Sequence, residues 1–446
     1  MMRPGSCADR LFHAVVVLSV LAVVAVPAVA FAEAEVQGTV SASTGWTDNY
    51  DSASSTSTAS AFFTLEPGGQ LLVASPSTVQ RLAYRLGINL FLAGDGATSF
   101  SNSLSYDINH TVSEFTDALF SAAVNHITTN TASPVSADVG GGINAVPVGA
   151  NQFIGFAGGL GLSHQISDLW RTTQGVNATY TTPVDSSGFV VGATFNGTAV
   201  IGIDRDLQNS NIGLNLGATY TFIEGLGTAG GGVVGPVDDQ KQVLFTAVAR
   251  YDRPLSSEWT LDLSAGVAAA APADTIGDLQ FYPTGGGVLG WQVEKHSAGL
   301  SYNHGVNTNP FLRQTIVADD IVAKGGIPLF GSERWSLVGS VGYQHARTLV
   351  FDSGLQEASL DVFSADAAID YEISATMNVG ARYQLAYQNG DSAITPDLTR
   401  NAVSVVFSAK YPDKTRTVMP FKQPLKMLRD PSLGEPGDHP RRGGGF

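Results

Sequence analysis

Side chains able to do chemistry are few and scattered in this 446-residue chain. Its eight histidines are His13, His110, His126, His164, His296, His304, His345 and His439. None stands in an H-x-x-x-H pair or another spacing that would bring two imidazoles to one metal ion. The lone Cys7 rules out a disulfide framework and a cysteine-based metal centre within one chain. No G-x-S-x-G elbow occurs. The glycine triplets at 140–142, 230–232 and 285–287 read as loops, with no helix and no Lys-Ser/Thr behind them to cradle a phosphate. The expectation is therefore no catalytic residue, no metal and no cofactor.

What remains is the chemistry of a polar wall. Arg85, Asn89, Arg250, Asp262, Asp366, Asp370, Arg382, Gln384 and Gln388 fall on the polar phase of stretches that alternate apolar with polar. Together they would offer charges of both signs and amides to a hydrated, hydroxyl-rich solute. Singly, each is better explained by keeping an interior wet or by pairing internally. Acids in the looser segments, such as Asp48, Asp185, Asp238 and Asp274, read as a solvated rim rather than as a metal site.

The elements that must position these residues have a period of two. From Ala375 to Tyr387, one face carries Ala375, Met377, Val379, Ala381, Tyr383, Leu385 and Tyr387. The other carries Thr376, Asn378, Gly380, Arg382, Gln384 and Ala386. Successive side chains of a strand point to opposite faces, so this is a strand signal. It is longer than the five or six residues usual in a soluble sheet. The same alternation runs through Leu82–Leu90, Ile212–Tyr220, Trp259–Ala265 and Phe363–Tyr371. The polar face is mostly Gly, Ser, Thr and Asn, and the apolar face ends in aromatics. That suits a barrel with lipid outside and a polar lumen within.

Connections sort by parity. Tight turns near His110–Phe115, Gln165–Trp170, Asp252–Trp259, Pro328–Trp335 and Tyr371–Met377 alternate with looser segments such as Thr129–Ala150 and Glu224–Gln240. Short turns on one rim and long loops on the other describe an outer-membrane barrel. The expected fold is an all-β transmembrane antiparallel barrel of about 18 strands, within 16 to 20. Segment 313–324 is counted as a strand, the weakest, since Asp319 and Asp320 put an acid on both faces; a bulge or break there is the alternative. Trp170, Trp259, Trp291 and Trp335 mark one aromatic girdle, and Tyr180, Tyr220, Tyr343 and Tyr387 the other. Ten residues separate Trp170 from Tyr180, roughly 33 Å of strand, or about 25 Å of bilayer normal at ~40° tilt.

Composition agrees. Only 14% of residues are charged, 50 are glycine, and four of the seven lysines lie between residues 33 and 411. A net charge of −15 offers phosphates no basic stripe, so nucleic acid is excluded as a partner. Arg3 and Arg10, the apolar run Leu11–Ala30 and the small residues at Ala30-Phe31-Ala32 read as a signal peptide over 1–32 rather than as an anchor helix, since no basic stop-transfer cluster follows. The barrel should occupy 33–411, where 15 basic and 34 acidic residues give −19. Residues 412–446 carry seven basic residues against four acidic and six prolines, and read as a disordered periplasmic tail.

Gly45-Trp46-Thr47-Asp48-Asn49, then Phe63-Thr64-Leu65-Glu66-Pro67-Gly68 and Leu82-Ala83-Tyr84, resemble the opening of β-barrel porins encoded near exopolysaccharide gene clusters. The overall arrangement also resembles myxobacterial barrels associated with polysaccharide export. What the resemblance implies is an outer-membrane conduit for a surface polysaccharide, or a barrel associated with its secretion, beside a periplasmic export protein. The Pro-rich basic tail is not a feature of that family; hanging in the periplasm, it would be available to such a partner or to cell-wall polymer. The alternatives are a general diffusion porin for small hydrophilic solutes and a closed barrel acting as structural element or adhesin. In every case outer-membrane lipid surrounds the chain.

Overall fold

The computed structural model describes residues 33–49, 58–93, 98–128, 151–186, 193–224, 239–275, 279–309, 314–349, 359–390 and 397–411. Both the expected signal peptide and the expected tail lie outside them. Eighteen strands follow one another: β1 (Glu33–Thr47), β2 (Ser60–Ala74), β3 (Thr78–Phe91), β4 (Thr98–Ser113), β5 (Thr116–Thr128) and β6 (Asn151–Gln165). Next come β7 (Trp170–Ser186), β8 (Thr194–Leu207), β9 (Ser210–Ile223), β10 (Gln240–Pro254), β11 (Trp259–Pro272) and β12 (Gln280–Val293). The last six are β13 (His296–Asn309), β14 (Gln314–Pro328), β15 (Trp335–Thr348), β16 (Ser359–Ser374), β17 (Met377–Gly390) and β18 (Leu398–Tyr411). Each pairs antiparallel with the next, and β1 pairs with both β2 and β18. The sheet is therefore closed. Closure removes the unpaired edges that an open sheet of this size would expose.

The alternation decides which face is which. Along β16, Leu360, Val362, Ser364 and Ala368 are buried, while Ala367 and Ile369 are exposed. The exposed phase is apolar around the barrel: Leu214, Leu216 and Tyr220 on β9, Val341 and Tyr343 on β15, and Val403, Val405 and Phe407 on β18. An apolar surface this extensive is not tolerated in water. It is the outward face of a membrane-spanning barrel, and charge is turned inward.

Two strands settle points on which the sequence was ambiguous. The weakest expected strand is present without a break: β14 runs unbulged from Gln314 to Pro328. Its two acids are accommodated separately. Asp319 faces outward and accepts hydrogen bonds from Tyr302 (2.7 Å) and His304 Nδ1 (2.8 Å), while Asp320 faces inward. Gly285–Gly287 is not a loop but the middle of β12. A Cβ on Gly285 would lie 2.6 Å from the Ser264 carbonyl oxygen, and one on Gly286 would overlap that of Tyr302. Only glycine lets neighbouring backbones come this close.

Those glycines mark the point where the wall divides. β12 and β13 pair from Val293 opposite His296 only as far as Gly285 opposite His304, although both strands continue. Beyond it, outward-phase Val306, Val317 and Leu349 pack with Ala268, Ala270, Leu244 and Tyr282 of the inward phase. Thr315 of β14 hydrogen-bonds Gln242 of β10. Opposite phases can meet only if the ends of β13–β15 fold inside the β10–β12 wall. Thr315, Ile316, Val317 and Ala318 are consequently buried on both faces. The face turned to the interior, with Ile316, Ala318, Ala346, Leu360 and Val362, forms a second apolar cluster. Elsewhere on the same rim Phe62 and Phe91 are buried with ring centroids 6.3 Å apart. Among the described residues, strand ends on the loop side are packed in these places.

This infolding is directly testable. Cys7 lies before β1, so Gln242→Cys/Thr315→Cys would hold the only cysteines between residues 33 and 411. We expect oxidation to join them, detected as a cross-linked peptide by mass spectrometry, while a Gln242→Cys/Val341→Cys control stays unlinked. A pair that never joins would contradict the inward tuck.

Candidate functional site in the barrel interior

The interior wall is lined by charges held in pairs across strands. Arg250 Nη2 donates to Asp204 Oδ1 at 2.9 Å, linking β10 to β8 across β9. The register explains the bridge: Asp204 stands opposite Gly213, and Gly213 opposite Arg250. With no side chain between them, the two long groups meet above the glycine. A Cβ on Gly213 would overlap the Asp204 carboxylate. Gly213→Val is therefore expected to cost about 1–3 kcal/mol through overpacking, read as a lower urea midpoint. Gly299→Ala, whose Cβ would meet nothing nearer than Lys324 Cγ at 3.6 Å, should be near neutral.

Arg81 and Asp107 form a second pair on β3 and β4, with Nε and Nη2 at 3.0 and 2.8 Å from Oδ2. A third group lies on β16 and β17. Asp366 Oδ2 accepts from Gln384 Nε2 at 3.1 Å, with Arg382 Nε at 3.6 Å. Asp370 lies over Gly380, which stands opposite it. Asp262 stands opposite Asp252 across β10 and β11, near the short turns. Arg85 stands opposite Gly68. Asn89 is buried, accepting from Thr64 at 2.8 Å and donating to Ser99 at 3.4 Å. Gln388 is buried on the interior phase of β17. All nine polar-wall residues thus lie on inward phases, but they do not converge on one spot. Asp366, Arg382 and Gln384 are brought together, and the others are spread around and along the wall.

Several interior groups were not among those nine: Asp204, Arg81, Asp107, Lys324, Asp320, Gln344, Ser364 and Arg400. For Asp204 the signal was present, since Ile201 and Ile203 set the outward phase and leave Asp204 inward. For Asp320 it was masked by the adjacent Asp319. Gln344 and Ser364 carry no charge, and only the tertiary structure sets them on the inward face of adjacent strands.

On the outside, Trp170, Trp259, Trp291 and Trp335 lie beside the short turns. Trp259 stands opposite Trp291 with centroids 6.3 Å apart. Trp335 packs on Tyr371 at 4.7 Å, and Arg205 lies 5.3 Å from the Trp170 ring. Tyr180, Tyr220, Tyr343 and Tyr387 are exposed on the outward phase higher up. Tyr343 donates to Asp361 at 2.6 Å, which also binds His345 Nδ1 at 2.9 Å. His304, Asp319, His345 and Asp361 are cross-strand neighbours in one row. Their mutual hydrogen bonds account for imidazoles and carboxylates on an otherwise apolar face.

No family model and no curated protein matches the sequence. Among solved structures the chain is similar to OccK5 (OpdH) of Pseudomonas aeruginosa, at 12% identity and a TM-score of 0.40, over 84% of this chain and 98% of that one. It is also similar to OccAB3 of Acinetobacter baumannii, at 9% identity and a TM-score of 0.44, over 85% of this chain and 100% of that one. The copper transporter OprC is a third, at 12% identity and a TM-score of 0.45, over 85% of this chain and 81% of that one. Apart from these likenesses, the chain itself is an all-β, closed 18-stranded antiparallel barrel with an apolar exterior and a charged interior.

Proposed function

We propose that the chain is an outer-membrane channel for small hydrophilic solutes, narrowed at its loop end in the conformation described. The observation that carries this reading is the division of the wall into an apolar outside and an inside lined by paired charges. A closed barrel of this strand number leaves an aqueous interior unless something fills it. Arg85, Arg250, Asp262, Asp366, Asp370, Arg382, Gln384 and Gln388, with Asn89, would form the wall that a solute meets. The chain would reach the outer membrane through cleavage after residue 32, and 412–446 would remain in the periplasm.

Export of a surface polysaccharide is a finer reading whose support is the resemblance of the opening stretch. The tail through which an export protein would be engaged lies outside the described residues. The packed loop end favours a second reading, a closed barrel serving as structural element or adhesin. Reconstitution separates the two. Liposomes containing the full chain should swell in iso-osmotic D-glucose and pass ions in a planar bilayer. Swelling and conductance no greater than in protein-free membranes would leave the closed barrel.

A further inference from the structure

We propose that the outer face of β6–β8 is a self-association surface, where a second copy of the chain docks about a two-fold axis and Gln174 meets its own counterpart. Gln174 lies on the outward phase of β7, four residues from Trp170 of one girdle and six from Tyr180 of the other. Four residues of strand rise about 13 Å, or roughly 10 Å along the bilayer normal at ~40° tilt. The amide therefore stands within the apolar band, not at its edge. It is exposed, and so are the aliphatic residues opposite it, Leu162 on β6 and Ile201 on β8. Gln80, Asn102 and Asn401 also face outward, and each accepts a hydrogen bond from a tyrosine hydroxyl. Gln174 has no hydrogen-bond partner among the described residues. Lipid tails offer an amide nothing to bond, and a polar group left so in hydrocarbon is costly. A polar side chain on a span commonly bonds across to another span.

The membrane limits what can meet this amide. Copies of one chain inserted in the same direction are related by an axis along the bilayer normal, so each residue meets only residues of its own depth. In a two-fold contact the same patch serves both copies, and a residue near the axis meets itself. A primary amide is its own complement, since it carries both N–H donors and a carbonyl acceptor. Two of them can exchange a pair of hydrogen bonds. The adjoining surface permits the approach. Toward the tyrosine girdle the outward positions are Gly158, Ala178 and Gly197, side by side on β6, β7 and β8, with Ala199 next to Val176. Gln174, Val176, Ala199 and Ile201 line a shallow apolar depression here. Small residues at such a contact let two surfaces come close within lipid.

The test uses the full chain in phospholipid vesicles, with Cys7→Ser as background so that an added cysteine stands alone. We expect Gln174→Cys to give a covalent dimer on oxidation, while Ile369→Cys, exposed on β16 nine strands round the barrel, stays monomeric. Energy transfer between donor- and acceptor-labelled copies, measured over a range of protein-to-lipid ratios, gives the strength of association. Gln174→Leu should weaken it roughly tenfold, the effect of losing two hydrogen bonds in lipid. Ala178→Trp should weaken it as well, by holding the two surfaces apart. Both positions face lipid in a single barrel, so heat-modifiable gel mobility should show both variants folded. Equal association of Gln174→Leu and the unaltered chain, or equal cross-linking through positions 174 and 369, would overturn the surface. An unaltered chain that stays monomeric at every ratio would overturn the second copy as its occupant.

Discussion

Leu216→Arg is expected to destabilise the folded chain in a bilayer by about 2–4 kcal/mol, the cost of a cation at the lipid midplane of a barrel. Leu216 is 47% exposed in mid-β9, between Ile201 and Ala247 on the neighbouring strands. In a water-soluble barrel, an arginine at so exposed a position would change stability by no more than about 0.5 kcal/mol. The two readings of the same surface therefore differ by a large and measurable amount. Urea titration in phospholipid vesicles, followed by heat-modifiable gel mobility, gives the number. A Leu216→Arg barrel as stable as the unaltered one would mean that this face does not meet lipid. Arg205, outward-facing beside Trp170 near the short turns, fits the depth dependence. Near the interface such a charge costs about 0–1 kcal/mol.

Arg250→Ala is expected to cost about 3 kcal/mol, at the lower end of what is lost when one partner of a buried ion pair is removed. Side-chain exposures of 24% for Arg250 and 11% for Asp204 place the pair mostly out of water. The loss comes less from the attraction itself than from a carboxylate left without its cation. The double change Asp204→Asn/Arg250→Gln should recover most of it, because neither partner is then stranded. Ion selectivity supplies an independent readout. Arg250→Ala should shift a reconstituted channel toward cations and Asp204→Asn toward anions, measured as reversal potentials of opposite sign in a salt gradient. Equal stability of Arg250→Ala and the unaltered chain, or shifts of the same sign, would contradict an interior pair facing the permeant path.

Much of the architecture was legible in one dimension. A strand repeats every two residues, so Ala375–Tyr387 or Ile212–Tyr220 declares its two faces without reference to any neighbour. Loop parity and tryptophan placement follow from a closed up-and-down order, in which every second connection returns to the same rim. Strand number and closure could thus be anticipated. Where local evidence pointed two ways, the sequence could not decide alone. The Asp319-Asp320 pair left a break open as an alternative because the partners of Asp319, namely Tyr302 and His304, lie on another strand. Gly285–Gly287 looked like a loop because glycine marks both turns and close backbone approach, and the Ser264 and Tyr302 carbonyls that make the difference are distant in sequence.

The sequence by itself determined the period, the sidedness and the order of the wall, because these depend on each residue's own chemistry and on its nearest neighbours along the chain. Only the tertiary structure decided how the wall closes on itself. The ion pair over Gly213, the inward fold of β13–β15 and the hydrogen bond between Gln344 and Asp320 all depend on register between strands. Register is a sum over many cross-strand contacts, none of which is written in the spacing of residues along one strand.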